Sequence, residues 1–101
     1  MDNFKTVSIE QAKEMLKTKD VTVVDIRDGD SFQAAHIEGA ILINRDNIQE
    51  FIEKGDKTRK VLCYCYRGIS SQDAARHLLK HGFKEVYNLR GGFEAWRSQE
   101  Y

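Results

Sequence analysis

Two cysteines, Cys63 and Cys65, offer the most nucleophilic chemistry in this chain, and their surroundings differ. Cys63 falls inside Val61-Leu-Cys-Tyr64, a short apolar run of the kind that fills a buried strand. There a free cysteine behaves as a small hydrophobe, so Cys63 is expected in the core. Cys65 instead opens the segment Cys65-Tyr-Arg-Gly-Ile-Ser70, after which Ala74, Ala75, Leu78 and Leu79 recur at helical spacing up to Gly82. A loop joining strand to helix in this way points successive backbone N–H groups at one spot. That spot lies before a helix N-terminus carrying roughly half a positive charge. An ordinary thiol with pKa near 8.5 is only about 3% thiolate at pH 7. Lowering that value by about two units, worth roughly 2.7 kcal/mol, makes it mostly thiolate. Cys65 is therefore the candidate nucleophile, the alternative being a buried strand-end cysteine.

The other chemistry-bearing residues carry weaker signals. Arg67 could hold an anionic substrate or be a solvated loop cation. Ser70 and Ser71 are placed to cap the following helix, with a hydroxyl also able to reach into the loop. Asp25 and Arg27 suit a charge-assisted pair tying down a strand. His36 reads as a hydrogen-bonded turn residue. His77 and His81 lie toward a helix C-terminus, where a cation is mildly favourable. Phe93 and Trp96 read as core or as a wall of the site. One Cys-x-Cys without a second pair lacks the usual spacing of metal ligands, so no metal and no cofactor are expected.

These residues need elements to position them, and the chain supplies five strand–helix units. Strands are expected over 4–7, 21–26, 40–43, 61–64 and 85–89, each short and apolar or β-branched. Ser8 with Gln11 forms a capping-box pattern before Ile9, Ala12, Met15 and Leu16. Asp28 to Ser31 turns into a short helix with Phe32 and Ala35. Asp46 has the spacing of a cap for Ile48, Phe51 and Ile52, a helix ending at Gly55. Gly91-Gly92 lead into a last helix over 93–96. Such alternation with short connections requires an α/β fold with a five-stranded parallel sheet and helices on both faces. Ligands of such sheets bind beyond the carboxyl ends of the strands, where Cys65 falls.

The 101 residues suit a single domain over 1–101 with one core. Sixteen basic and sixteen acidic side chains cancel, so no overall field draws the chain to nucleic acid or membrane. No segment has the apolar run of a signal peptide or of a membrane span. Two cysteines one residue apart staple no scaffold, and such thiols suit a reducing, cytoplasmic setting.

Four motifs, in order and in register, resemble those of the rhodanese family. They are Val24-Asp-Ile-Arg27 with Phe32, His36-Ile-Glu-Gly-Ala40, Cys65-Tyr-Arg-Gly-Ile-Ser70, and Gly91-Gly-Phe-Glu-Ala-Trp96. The chain is most similar to that family's small single-domain thiosulfate sulfurtransferases. The resemblance implies the rhodanese-like three-layer fold and sulfur transfer through a persulfide on Cys65. It also implies a six-residue loop in which Tyr66, Arg67, Gly68, Ile69 and Ser70 bind the substrate. Thiosulfate would be the donor, and cyanide, a small thiol or a protein thiol the acceptor. The amides of 66–70 would stabilise thiolate and persulfide without a general base. The chain departs from the family in having no proline at Gly29, Glu38 or Asn44 and no glycine at Ala35.

Two other functions compete. A cysteine phosphatase or arsenate reductase also starts its anion loop with cysteine, but it needs an arginine clamp six positions on, where Ser71 stands. A non-enzymatic rhodanese-like interaction module would not need the thiol.

Overall fold

In the computed structural model, which describes residues 3–98, apolar runs and helical stripes alternate as five strands and five helices. In chain order these are β1 (Lys5–Val7), α1 (Ile9–Lys17), β2 (Val21–Asp25), α2 (Gly29–Ala34) and β3 (Ile41–Leu42). There follow α3 (Ile48–Lys54), β4 (Lys60–Tyr64), α4 (Ser71–Lys80), β5 (Val86–Leu89) and α5 (Gly92–Ser98). The strands form one parallel sheet in the order β1-β5-β4-β2-β3. This is the α/β class and the five-stranded parallel sheet the sequence implies. The third strand is shorter than expected and sits at the edge.

Strand β4 shows why both faces must be covered. Its side chains alternate, so Leu62 and Tyr64 enter one core while Val61 and Cys63 enter the other, all fully buried. Helices α1 and α5 close the first face, with Ile9, Ala12 and Phe93 against Val7, Val23 and Leu89. Helices α3 and α4 close the second, with Ile52, Ala75 and Leu78 against Val24, Cys63 and Val86.

From β2 the chain steps outward to β3, and from β4 it steps outward to β5 on the opposite side. The winding direction therefore reverses between the neighbours β2 and β4. A crevice opens beyond the carboxyl ends at such a point. The loop that begins at Cys65 leaves β4 there.

The helix ends follow local chemistry. Ser8 and Gln11 form the expected reciprocal cap of α1, at 3.1 and 2.8 Å. Gly82 ends α4 at φ +104, with Phe83 N–H donating to Leu78 O and Gly82 N–H to Leu79 O, both at 3.1 Å. Helix α3 corrects the expectation placed on Asp46. Asn44 Oδ1 accepts from the Asp46 and Asn47 amides at 2.9 and 3.1 Å, and Asn47 Oδ1 accepts from Asn44 N–H at 2.8 Å. Asparagine side chains close such turns on the backbone two residues on. The Asn44–Asn47 pair does so reciprocally in the turn before α3, and Asn47, at the N-cap position, makes no side-chain cap bond.

Candidate active site

Alternation along β4 carries Cys63 and then Cys65 to the α4 side of the sheet, and the strand ends before the second thiol. Cys63 is fully buried, and burial pushes its thiol up to about 12. Cys65 is also buried, yet its surroundings are polar. Its Sγ accepts from Gly68 N–H at 3.2 Å and from Ser71 N–H at 3.3 Å, and the Ser71 hydroxyl lies 3.2 Å away. Burial alone would raise this thiol. The Ser70 and Ser71 hydroxyls and the Ser71 and Gly68 amides outweigh it, lowering the thiol to about 7.

The expected serine cap is corrected here. Ser70 occupies the N-cap position of α4 but makes no side-chain cap bond. The sulfur takes that place, accepting the amide of Ser71, the first residue of the helix. A negative charge on Sγ would therefore face the positive end of α4.

Two glycines let the backbone close around the sulfur. Gly68 has φ +84, and a Cβ there would meet Leu89 O at 2.8 Å and Gly91 N at 3.0 Å. Gly92 has φ +60, and a Cβ there would lie 2.5 Å from both Cys65 O and Tyr66 O. The approach is this close because the first amides of α5 hold the loop. Phe93 N–H donates to Cys65 O at 2.8 Å and Glu94 N–H to Tyr66 O at 2.9 Å. The Gly91-Gly92 pair thus braces the cysteine loop from behind, a role its position in sequence did not reveal.

The remaining loop residues face outward. Arg67 is exposed and has no acidic partner among the described residues, and Ile69 is 71% exposed. The amides of Arg67, Ile69 and Ser70 donate to no protein acceptor among the described residues. Tyr66 lies over the rim, with its hydroxyl on Asp28 Oδ1 at 3.1 Å and against Ser31 Oγ, so it links the loop to α2. Cys65 and residues 66–70 therefore share one loop in which three amides and the Arg67 cation have no protein partner among the described residues, an arrangement compatible with a small anion.

Behind the cradle, Ser71 is fully buried and its hydroxyl donates to Asn88 Oδ1 at 2.5 Å. Asn88 Nδ2 donates to Gly68 O at 3.1 Å, which Gln72 Nε2 also reaches at 2.8 Å. Asn88 escaped the sequence reading. Its signal was a carboxamide at a core-facing position of a buried strand, since such a group needs partners. Asp25 and Arg27 pair as expected, buried, at 2.8 Å. Arg27 also donates to Ala35 O at 2.6 Å and lies 4.2 Å from the Phe93 ring centre. His36 bonds Phe32 O at 2.8 Å, as a turn residue should. Phe93 is core, while Trp96 lines a cleft of about 480 Å³ with His36 and Arg97.

Comparison with known proteins identifies relatives of the whole chain. A thiosulfate sulfurtransferase GlpE of Shewanella oneidensis is 48% identical over 96 residues, 95% of each chain. One of Coxiella burnetii is 47% identical over 95 residues, covering 94% of this chain and 89% of its own. A Rhodopseudomonas palustris structure described as a possible tyrosine phosphatase superposes with a TM-score of 0.82 at 28% identity, covering 95% of this chain and 81% of that one. The family model for the rhodanese-like domain matches residues 8–99. With that match and with relatives near half identity over nearly its whole length, the chain belongs to the rhodanese-like family.

Proposed function

We propose that the chain is a thiosulfate sulfurtransferase working by double displacement on Cys65. The observation that carries this reading is the Cys65 thiol, lowered to about 7 by the amides and hydroxyls of its own loop and helix. A thiol so placed is substantially ionised at neutral pH without a general base. Its thiolate attacks the outer, sulfane sulfur of thiosulfate. An Sγ–S bond forms, the S–S bond of thiosulfate breaks, and sulfite leaves with the bonding pair. The persulfide anion then lies among the free amides of Arg67, Ile69 and Ser70. A thiophilic acceptor such as cyanide or a thiolate attacks the outer sulfur and returns Sγ to thiolate. Arg67, without a carboxylate partner among the described residues, holds the sulfonate end of the donor. The GlpE relatives carry this activity in their names.

The phosphatase alternative raised by the R. palustris neighbour is disfavoured at one position. Where a phosphatase loop places its arginine clamp, Ser71 is buried and bonded to Asn88. Intact mass after thiosulfate treatment tests the reading. One added sulfur should appear, cyanide should remove it, and the Cys65→Ser protein should gain none. Aryl phosphate hydrolysis rivalling sulfur transfer would sink the proposal.

A further inference from the structure

Ser71 has one hydroxyl proton and two neighbours that can take it. Asn88 settles where the proton lies when the sulfur is neutral. Gly68 O only accepts, so the carboxamide must turn Nδ2 toward it, which leaves Oδ1 facing Ser71. Oδ1 also only accepts, so the Ser71 hydroxyl donates to it, at 2.5 Å. The Ser71 oxygen then offers only lone pairs to Cys65 Sγ, 3.2 Å away. That arrangement suits a neutral thiol, whose S–H donates to Ser71. It does not suit a thiolate, which needs a donor. A short rotation about the Cβ–Oγ bond of Ser71 would turn the same proton from Asn88 to the sulfur.

We propose that Ser71 is a further catalytic residue whose hydroxyl follows the charge on Cys65 Sγ, and that Asn88 is the positioning residue that holds its proton whenever Sγ is neutral. The inference rests on Cys65 being the nucleophile. In the first displacement Sγ passes from thiolate to the inner, uncharged sulfur of the persulfide, and the hydroxyl turns from Sγ to Asn88. In the second, the acceptor breaks the Sγ–S bond and the electron pair returns to Sγ. The hydroxyl then turns back to meet the returning charge. No proton is gained or lost in either turn, so the device serves both half-reactions. Removing Asn88 need not release the loop, because Gln72 also holds Gly68 O.

A double-mutant cycle on the pH profile of Cys65 alkylation by iodoacetamide tests the rotor. Ser71→Ala should raise the apparent pKa by about a unit, through loss of the donor to the thiolate. Asn88→Ala should lower it by about half a unit, because the hydroxyl is then free to stay on the sulfur. In the Ser71→Ala background the Asn88 substitution should shift nothing further. Other charged groups on surrounding elements cancel from the cycle. They are Asp25 ending β2 with Arg27 after it, Asp28 before α2, Arg67, Asp73 with Arg76 on α4, Arg90 after β5 and Glu94 of α5, and the neutral Cys63 thiol on β4 cancels likewise. A merely structural Asn88 would raise the value when removed, and additive shifts would likewise overturn the rotor. A second measurement needs no variant: in the parent, the side-chain carbonyl carbon of Asn88 should titrate in NMR with the midpoint of Cys65. An unmoved signal overturns the proposal even if Asn88→Ala fails to fold. An ordinary thiol profile for Cys65 in the parent would overturn both this inference and the sulfurtransferase reading. A lowered profile with additive shifts would overturn the rotor alone.

Discussion

The sulfur of Cys65 stands where a helix cap would stand, and that one substitution of roles sets its acidity and its contribution to stability. The folded thiol lies near 7, below its ordinary value. A depressed value means the ionised form is favoured by folding. Its stabilisation is full above the unfolded value and disappears as pH falls through 7. The stability gap between the parent and Cys65→Ala, read from urea unfolding, should therefore be larger at about pH 9.5 than at about pH 6. A gap that grows toward acid would contradict the assignment. Arg67 acts differently, because its side chain is exposed. Arg67→Ala should raise the thiosulfate KM about fivefold, worth ~1 kcal/mol for an exposed cation, with a smaller difference at high salt. The Cys65 alkylation profile should stay where it is, since amides and hydroxyls dominate its shift. A profile displaced by about a unit would make the cation the main activator.

At the scale of elements, α5 braces the loop that β4 and α4 define. Gly92→Ala would place a methyl 2.5 Å from two loop carbonyls at φ +60. A cost of about 2–3 kcal/mol in unfolding is expected from strain and clash together. Sulfur transfer should fall further than stability does, because the displaced carbonyls belong to Cys65 and Tyr66. Retained turnover in a folded Gly92→Ala protein would remove α5 from the support of the loop. Helix α2 offers the opposite case. Gly29 is its first residue, Asp28 before it has φ −73 and ψ 163, and a Cβ at Gly29 would approach Leu42 at 3.9 Å without conflict. Proline fits the first turn of a helix when the preceding residue is extended. Gly29→Pro should therefore stabilise the protein by about 0.5–1 kcal/mol, through the unfolded chain. A lowered urea midpoint would show that this end of α2 is not as open as its geometry indicates.

Across the whole molecule, one buried ion pair ties several elements to the carboxyl end of the sheet. Asp25 ends β2, Arg27 reaches Ala35 O at the end of α2, and the guanidinium lies over Phe93 of α5. Arg27→Leu should cost about 3–5 kcal/mol, because it removes the guanidinium that partners Asp25 at 0% exposure. The Asp25→Leu/Arg27→Leu double variant should recover much of that loss in urea unfolding. A double variant as unstable as the single one would mean that the pair contributes more than mutual neutralisation. The zero net charge leaves no global field to gather anions, so attraction of the donor falls to the local cation and amides.

The sequence alone determined the alternation of strands and helices, and with it the parallel sheet, because apolar period and turn residues are local signals. It also placed Cys65 at a strand end before a helix, and the thiol reading followed from that. The turn before α3 was decided between neighbours, where Asn44 and Asn47 close the chain on each other and Asp46 supplies no cap. What only the tertiary structure decided lies across the sheet. Asn88 meets Ser71 because β5 runs beside β4 in a register that pairs Cys63 with Asn88. Gly92 meets Cys65 O because α5 packs behind the loop. These contacts join residues 17 or more positions apart, and no periodicity in a single chain encodes which strand becomes another's neighbour.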